Sequence, residues 1–298
     1  MPRTPRGALT LAEEGPRSPA RRRLGVLMTL VLVGVLGTAG YLGIRHLTRL
    51  AAGESCRVTA SGSTFEWAPD QASNAAAITA ISVKRGLPPR AATIAIATAM
   101  QESKVRNVKF GDRDSLGLFQ QRPSQGWGTA EQILNPEYST NKFYDALVKV
   151  KGYTDMDIAE AAQEVQRSAA GEAYAQHEPQ ARVTASVLSG QTASGIGCTL
   201  EDAKTSGDAK AVAALVKKDF GVSGEVGDRT VTVVAESKDG AWAVASWAVA
   251  RATDTSAVRV EIGNQRWDRS MDESSYGWQG VEDAASAGDP LTVTIHLA

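Results

Sequence analysis

The sequence of 298 residues has few of the side chains that bind metals or cofactors. It contains two cysteines and three histidines, and the histidines are scattered at His46, His177 and His296. The sequence signatures of metal sites place ligands at close, regular spacing, and common phosphate-site signatures have a glycine-rich loop before a helix. Neither pattern is present in the sequence, so we predict no metal and no cofactor.

The sequence also lacks an excess of positive or of negative charge. The net charge of −1 excludes bulk electrostatic affinity for nucleic acid, so we expect no nucleic-acid partner. The charge is nevertheless uneven, because residues 1–23 hold six arginines against Glu13 and Glu14, a balance of +4, while the remainder carries −5. A basic stretch directly before an apolar run is a membrane-topology signal. Residues 1–23 are therefore predicted to be a basic cytoplasmic tail.

Residues 24–44 form an uncharged, largely apolar run. As a helix it would extend roughly 31 Å, close to the bilayer core of about 30 Å. We predict a single-pass anchor in the cell membrane, with a cytoplasmic N-terminus and the bulk of the chain extracytoplasmic. A cleaved signal peptide is the alternative, but its basic region would be unusually long and its apolar region longer than usual.

A second apolar stretch, residues 91–100, precedes a carboxylate. Pro88 and Pro89 stand where a helix would begin, so the pattern predicts a buried helix that ends near Ser103. Glu102 would then lie at the C-terminal end of that helix, where burial and the helix dipole both favour a protonated carboxyl group. Such an acid can protonate the leaving oxygen of a glycosidic bond. The alternative is an ordinary exposed glutamate.

The residues around Glu102 bear a family resemblance. The pair Glu102-Ser103, followed by Gly117-Leu118-Phe119-Gln120, resembles the Glu-Ser … Gly-Leu-Met-Gln pattern of the soluble lytic transglycosylase family, which has a lysozyme-like fold. A second block, residues 135–144, is similar to that family's Asp-Pro … Tyr-Leu segment. The family's later Ala-Tyr-Asn-Ala-Gly block has no Tyr-Asn pair here. The resemblance covers roughly residues 64–185.

The resemblance implies that Glu102 is the catalytic residue, with Gln166 or Tyr174 in the place of the missing pair. Polar side chains suited to sugar hydroxyl and N-acetyl groups extend the expected substrate site. Asp112 and Asp114 are either turn-formers or a second carboxylate across the cleft. The expected substrate-binding residues are Ser103, Ser115, Gln120, Gln121, Tyr144, Gln166 and Tyr174.

The two cysteines, Cys56 and Cys198, bracket the lysozyme-like stretch. On the extracytoplasmic side they would meet an oxidising environment, so we predict a disulfide. Two free buried thiols are the alternative.

The pattern as a whole predicts an α+β protein whose main part is a largely helical lysozyme-like domain. One transmembrane helix would precede this domain, and a small α+β domain would follow it. A Gly/Ser/Thr-rich stretch at residues 189–197 suggests the second boundary. The predicted parts are tail 1–23, anchor 24–44, linker 45–63, lysozyme-like domain 64–198 and C-terminal domain 199–298.

Three functions are compatible with these features. The first is a membrane-anchored enzyme that cuts the MurNAc–GlcNAc linkage of peptidoglycan with one glutamate, as lytic transglycosylases do. The second is a lysozyme-type hydrolase that uses a second carboxylate. The third is a non-catalytic peptidoglycan-binding or scaffold component of an envelope-spanning complex, favoured by the missing Tyr-Asn pair. Residues 199–298 would dock an envelope partner or the wall.

Overall fold

The computed structural model describes residues 53–166, 172–281 and 288–298. It is a mixed α+β structure with about 45% helix and 18% strand, which confirms the predicted class at this level. The predicted tail and the predicted anchor, residues 24–44, lie outside the described residues. In the part of the chain that the structure describes, every helix is too short or too polar to cross a bilayer.

The first described segment forms a small antiparallel sheet. Its strands are β1 (Ser55–Ala60), β2 (Ser63–Trp67) and β3 (Ile196–Thr199), with β1 in the centre. Ser61 and Gly62, both with positive φ, make the tight turn between β1 and β2, a backbone sign that two-residue hairpins favour. The predicted linker 45–63 therefore contains a complete strand, which is a correction to the sequence-based boundary.

The predicted disulfide is confirmed and lies in this sheet. Cys56 of β1 is directly opposite Cys198 of β3, and their Cα atoms are 4.0 Å apart. Both side chains are buried. The bond joins two positions separated by 142 residues, so it links the two ends of the segment that contains the helical region.

The helical region between β2 and β3 has a core rich in alanine and isoleucine, and the small alanine side chains let the helices pack closely. The longest two helices begin with proline in their first turn, which fits the missing N–H at that position. The helices are α1 (Pro69–Lys84), α2 (Pro89–Ser103), α3 (Ala130–Ile133), α4 (Pro136–Leu147), α5 (Ile158–Gln166), α6 (Glu172–Ala175) and α7 (Glu178–Leu188).

The C-terminal region contains a six-stranded antiparallel sheet, in the order β4-β5-β9-β6-β7-β8. Alternate residues of its central strands are buried, as expected for a sheet with one covered face. The elements are α8 (Ala209–Phe220), β4 (Glu225–Val226), β5 (Thr230–Val234), α9 (Lys238–Ala250), α10 (Ala252–Thr255), β6 (Ala257–Ile262), β7 (Gln265–Asp268), β8 (Gln279–Gly280) and β9 (Thr292–Leu297).

Helix α9 joins the two regions. It packs against β6 and β9 of the six-stranded sheet and also against α1. Ser73 of α1 donates a hydrogen bond to Asp254 of α10. Residues 54–298 form one compact unit with a continuous hydrophobic core. The boundary that we predicted between residues 198 and 199 therefore does not coincide with a gap in packing.

Candidate functional site

Helix α2 places Glu102 at the rim of the core. Every residue from Ala91 to Ala99 is buried, so the helix cannot rotate or slide without breaking its packing. Glu102 is the second-last residue of the helix and its side chain is partly exposed. The sequence-based boundaries of this helix are confirmed. The carboxyl group is thus carried by a rigid element at the edge of solvent.

The turn after α2 has an unusual backbone. Lys104 and Val105 both have φ of 55°, and neither is glycine. Each non-glycine residue with such a positive φ costs on the order of 1 kcal/mol of conformational free energy. Residues of this kind cluster at functional sites. The N–H groups of Lys104 and Val105 donate to Met100 O and Ala99 O, which closes the helix end. The backbone therefore changes direction directly after the helix end that carries Glu102.

Tyr174 contacts the carboxyl group of Glu102. Its hydroxyl donates a hydrogen bond of 2.6 Å to Glu102 Oε1. The Tyr174 side chain is 1% exposed and belongs to the core, so its hydroxyl is held in a fixed position. Of the two residues proposed to replace the family's Tyr-Asn pair, this one touches the candidate acid.

Gln166, the other of those two residues, holds the loop between α2 and α3. Its side-chain amide donates to Phe119 O at 2.6 Å. Ser103 donates to the neighbouring carbonyl, Leu118 O, at 2.7 Å. Two successive carbonyls are thus fixed by side chains from α5 and α2, and Ser103 adjoins Glu102. Both residues position the loop through backbone contacts.

The loop itself is closed by the segment that bears Gln120. Leu116 and Gln121 form an isolated antiparallel bridge. At Gly117, where φ is 76°, a Cβ atom would lie 2.9 Å from Ile133 O, so glycine is needed there. The amide of Gln120 donates to Phe110 O at 3.3 Å. Phe110 beside it is 77% exposed, which is unusual for a phenylalanine.

Ser115 and the two aspartates are held within the loop. Arg122 donates to Ser115 Oγ at 2.9 Å and pairs with Asp112 at 2.8 Å. Ser124 donates to Asp114 through its N–H and its hydroxyl, and these bonds hold the pKa of the Asp114 carboxyl below its ordinary value. Ser115 is buried, and both aspartates stabilise local turns.

Besides Tyr174 and Ser115, two more expected substrate contacts are buried. Tyr144 is fully buried and donates to Ile78 O at 3.0 Å, and burial raises the pKa of its hydroxyl. Gln121 is 1% exposed and donates to Ser139 O at 3.1 Å. Neither side chain reaches a surface from which it could contact a sugar. Their polar ends satisfy backbone carbonyls inside the protein, which corrects the sequence-based expectation.

His177 is a neighbour of the site that the sequence analysis did not select. Its Nε2 atom lies 3.0 Å from Gln101 Oε1, and Gln101 precedes Glu102. Burial lowers the pKa of the His177 ring. No local pattern indicates this contact, because 76 residues separate the two side chains. Among the described residues, no cluster of three or more His, Cys, Asp or Glu side chains could hold a metal ion.

Two cavities flank this arrangement. One, of about 630 Å³, lies between the N-terminal half of α2, the β1–β2 turn and α7. The other, of about 790 Å³, is a groove between the segment before α3 and helices α4 and α5, and Gln166 lies in its wall. Glu102 lines neither cavity. Gln166, in the wall of the second cavity, donates to Phe119 O, a backbone carbonyl of the loop.

The chain matches no protein-family model and has no significant sequence match among curated proteins.

Proposed function

We propose that the protein is a cell-wall glycan-cleaving enzyme that cuts the MurNAc–GlcNAc linkage of peptidoglycan, with Glu102 as its acid and base. The observation that carries this proposal is the hydrogen bond from buried Tyr174 to Glu102 at the end of an apolar helix. A carboxyl group fixed at one edge of solvent suits proton transfer to a bound oxygen. The sequence of residues 102–120, which resembles the pattern of lytic transglycosylases, supports the same function.

The proposed chemistry uses one carboxyl group twice. Glu102 donates its proton to the glycosidic oxygen, and the bond from that oxygen to C1 of the muramic acid breaks. The resulting carboxylate then accepts the proton of the sugar's 6-hydroxyl, whose oxygen bonds to C1. The product is an anhydro sugar, and Glu102 is reprotonated, so no water is consumed.

A second candidate is a hydrolase in which a water molecule replaces the 6-hydroxyl. Asp112 and Asp114 are the carboxylates in the loop near Gln120, but their oxygens are engaged with Arg122 and Ser124. These contacts favour the mechanism with a single carboxyl group. The non-catalytic binding protein is the third candidate, and its support is the missing Tyr-Asn pair.

The proposed location is the outer face of the cell membrane, with residues 24–44 as the anchor. The uncharged run and the preceding arginines support it. A reporter enzyme that is active only outside the cell, fused after Ala298, should be active. An intact but silent fusion would contradict this location.

The decisive experiment compares Glu102→Gln with Asp114→Asn in the full-length chain. Glutamine has nearly the same shape but cannot donate and then accept a proton, so cleavage of purified cell wall should fall by about 100- to 10,000-fold. Asp114→Asn should retain most activity, because the Asn oxygen can still accept from the Ser124 N–H and the Asn amide can donate to the Ser124 hydroxyl oxygen. Unchanged activity of Glu102→Gln would exclude this mechanism.

Product masses separate the two enzymatic candidates. Anhydro ends are lighter than reducing ends by one water. Exclusively reducing ends, together with an inactive Asp114→Asn variant, would support the hydrolase. A wild-type protein that binds cell wall without releasing any fragment would support the non-catalytic candidate.

A further inference from the structure

Two adjacent side chains at the end of α2 contact the same short segment, residues 174–177. The Tyr174 hydroxyl donates to Glu102 Oε1 at 2.6 Å, and His177 Nε2 lies 3.0 Å from Gln101 Oε1. The N–H of His177 donates to Tyr174 O at 3.1 Å, which holds the two contacting residues in one turn. Consecutive Cα atoms are about 3.8 Å apart. The Gln101 side chain therefore lies next to that of Glu102, on the side of α2 that faces this segment.

A chain of hydrogen bonds fixes which end of the Gln101 amide faces this segment. The oxygen and nitrogen of an amide have nearly the same shape, so their partners decide between them. The chain starts at Ala173 O, a backbone carbonyl that can only accept. Gln176 Nε2 donates to it at 3.1 Å, so this group of Gln176 is an NH₂ group. The same nitrogen lies 3.5 Å from Gln101, where an oxygen is favourable and a second NH₂ group would be repelled.

His177 completes this chain. Its Nε2 atom faces the Gln101 oxygen, which can only accept, so Nε2 carries a proton. Burial lowers the pKa of the His177 ring, so at neutral pH the ring is uncharged and has a single N–H group. The hydrogen bonds place that group on Nε2.

This arrangement turns the NH₂ group of Gln101 toward solvent. The residue is exposed, and in the part of the chain that the structure describes its Nε2 atom donates to no protein acceptor. Turning the amide over would bring its NH₂ group against two other donors, so the observed orientation is favoured. An amide nitrogen only donates hydrogen bonds. A ligand at this position must therefore offer an acceptor oxygen.

We propose that Gln101 is a substrate-contacting residue of the candidate site, whose NH₂ group donates to an acceptor oxygen of a glycan bound at Glu102, and that His177 is the positioning residue that orients it. This inference rests on the proposed function. It makes Gln101 and His177 act as a unit, because His177 contributes to binding through Gln101.

The first test is the position of the His177 ring proton, which does not depend on activity. At about pH 8, where an ordinary histidine is neutral, ¹⁵N NMR of the full-length chain in detergent should show the proton on Nε2. A His177→Gln variant assigns the signal among the three histidines. A proton on Nδ1 would make Nε2 an acceptor. The NH₂ group of Gln101 would then face His177, which would overturn the inference.

The second test measures kcat and KM with soluble peptidoglycan glycan fragments. Gln101→Met preserves the length of the side chain but removes the donor, so kcat/KM should fall about 2- to 10-fold, as expected for one lost hydrogen bond. Gln279→Met is the matched control, because Gln279 is exposed on β8. It should cleave as the wild type does. Equal kcat/KM of Gln101→Met and this control would overturn the inference.

A double-mutant cycle tests the positioning role of His177. His177→Leu should lower kcat/KM, whereas His177→Gln should remain near the wild-type value because its amide can still donate to Gln101. In the Gln101→Met background His177→Leu should have no further effect, since the residue through which it acts is gone. Losses that multiply in the double variant would show an independent structural role and overturn the assignment of His177.

Binding separates a failure of this inference from a failure of the proposed function. The same glycan fragments are titrated into the Glu102→Gln variant, which should not cut them, and the side-chain amide signal of Gln101 is followed by NMR. A shift of this signal, together with a wild type that cleaves nothing, would support the inference and overturn the proposed function. Cleavage by the wild type without any shift would overturn the inference while the proposed function stands.

Discussion

The Tyr174 hydroxyl donates a 2.6 Å hydrogen bond to Glu102 Oε1, although 72 residues separate the two in sequence. One partner is anchored in the core, and the other lies near the end of a helix whose residues 91–99 are buried. The Glu102 Oε1 atom is thereby tied to a side chain of the core.

The Tyr174→Phe variant tests what this contact does. Phenylalanine preserves the packing of the ring but removes the donor, so Glu102 should lose its orientation. Hydrogen bonds to charged groups contribute about 1.5–3 kcal/mol, and we expect cell-wall cleavage to fall about 10- to 100-fold. The measurement is the initial rate of fragment release. A Tyr153→Phe variant, in the loop after α4, should have wild-type activity.

The disulfide is expected to contribute strongly to stability. Closing a loop of 142 residues reduces the entropy of the unfolded chain by an amount worth about 5 kcal/mol in the chain-entropy view. The Cys56→Ser/Cys198→Ser double variant should therefore unfold at much lower urea concentration. Mass measurement after alkylation of unreduced wild type should find no labelled thiol. Two labelled thiols, or an unchanged urea midpoint, would contradict the expectation.

Acid should destabilise the region around His177. Burial lowers the pKa of this ring in the folded state, so between that pKa and the unfolded value of about 6.5 the unfolded chain binds more protons. The stabilising contribution is complete above about pH 6.5 and is lost as the pH falls through the folded pKa. His177→Gln should flatten the pH dependence of the unfolding free energy in this window. An NMR titration midpoint of His177 above 6.5 would refute it.

Removal of residues 200–298 should disrupt the rest of the unit. Helix α9 covers part of α1, and its Trp247 is 1% exposed in the shared core. The truncated chain should lose its cooperative thermal transition, followed by circular dichroism. Trp247→Ala, a milder change, should cost about 3–5 kcal/mol of unfolding free energy and leave a single transition. A truncated chain that still melts cooperatively would show that residues 54–199 fold alone.

Much of the fold could be predicted from local patterns. Helix α2 has a proline pair before it and an apolar run within it, and the alternation of β9 is visible in Thr292, Thr294 and His296. Strand β1 was missed because it is short and its partner β3 lies about 140 residues away. Strand β3 was not predicted because it overlaps the Gly/Ser/Thr-rich stretch, whose composition is typical of a loop. Its glycine and threonine are buried by contacts with other elements, which the local composition does not indicate.

The candidate site was predictable only in part. Glu102 could be selected because the helix end and its neighbours in sequence carry the signal. Gln121 and Tyr144 have polar groups that bond to backbone carbonyls inside the core, and nothing local distinguishes such groups from surface ones. The contact of His177 with Gln101 depends on how α7 packs against α2, which no local pattern encodes.

The central position of β1 has a consequence for how the chain matures. The hairpin with β2 can form as soon as Trp67 is available, but the other edge of β1 must wait for Ile196–Thr199. During synthesis at about 5–20 residues per second, that edge stays unpaired for roughly 6–26 seconds, with a reactive thiol at Cys56. An open strand edge invites pairing with other chains. Oxidation before β3 emerges would therefore trap Cys56 in an intermolecular bond, so yield during expression should depend on the timing of oxidation.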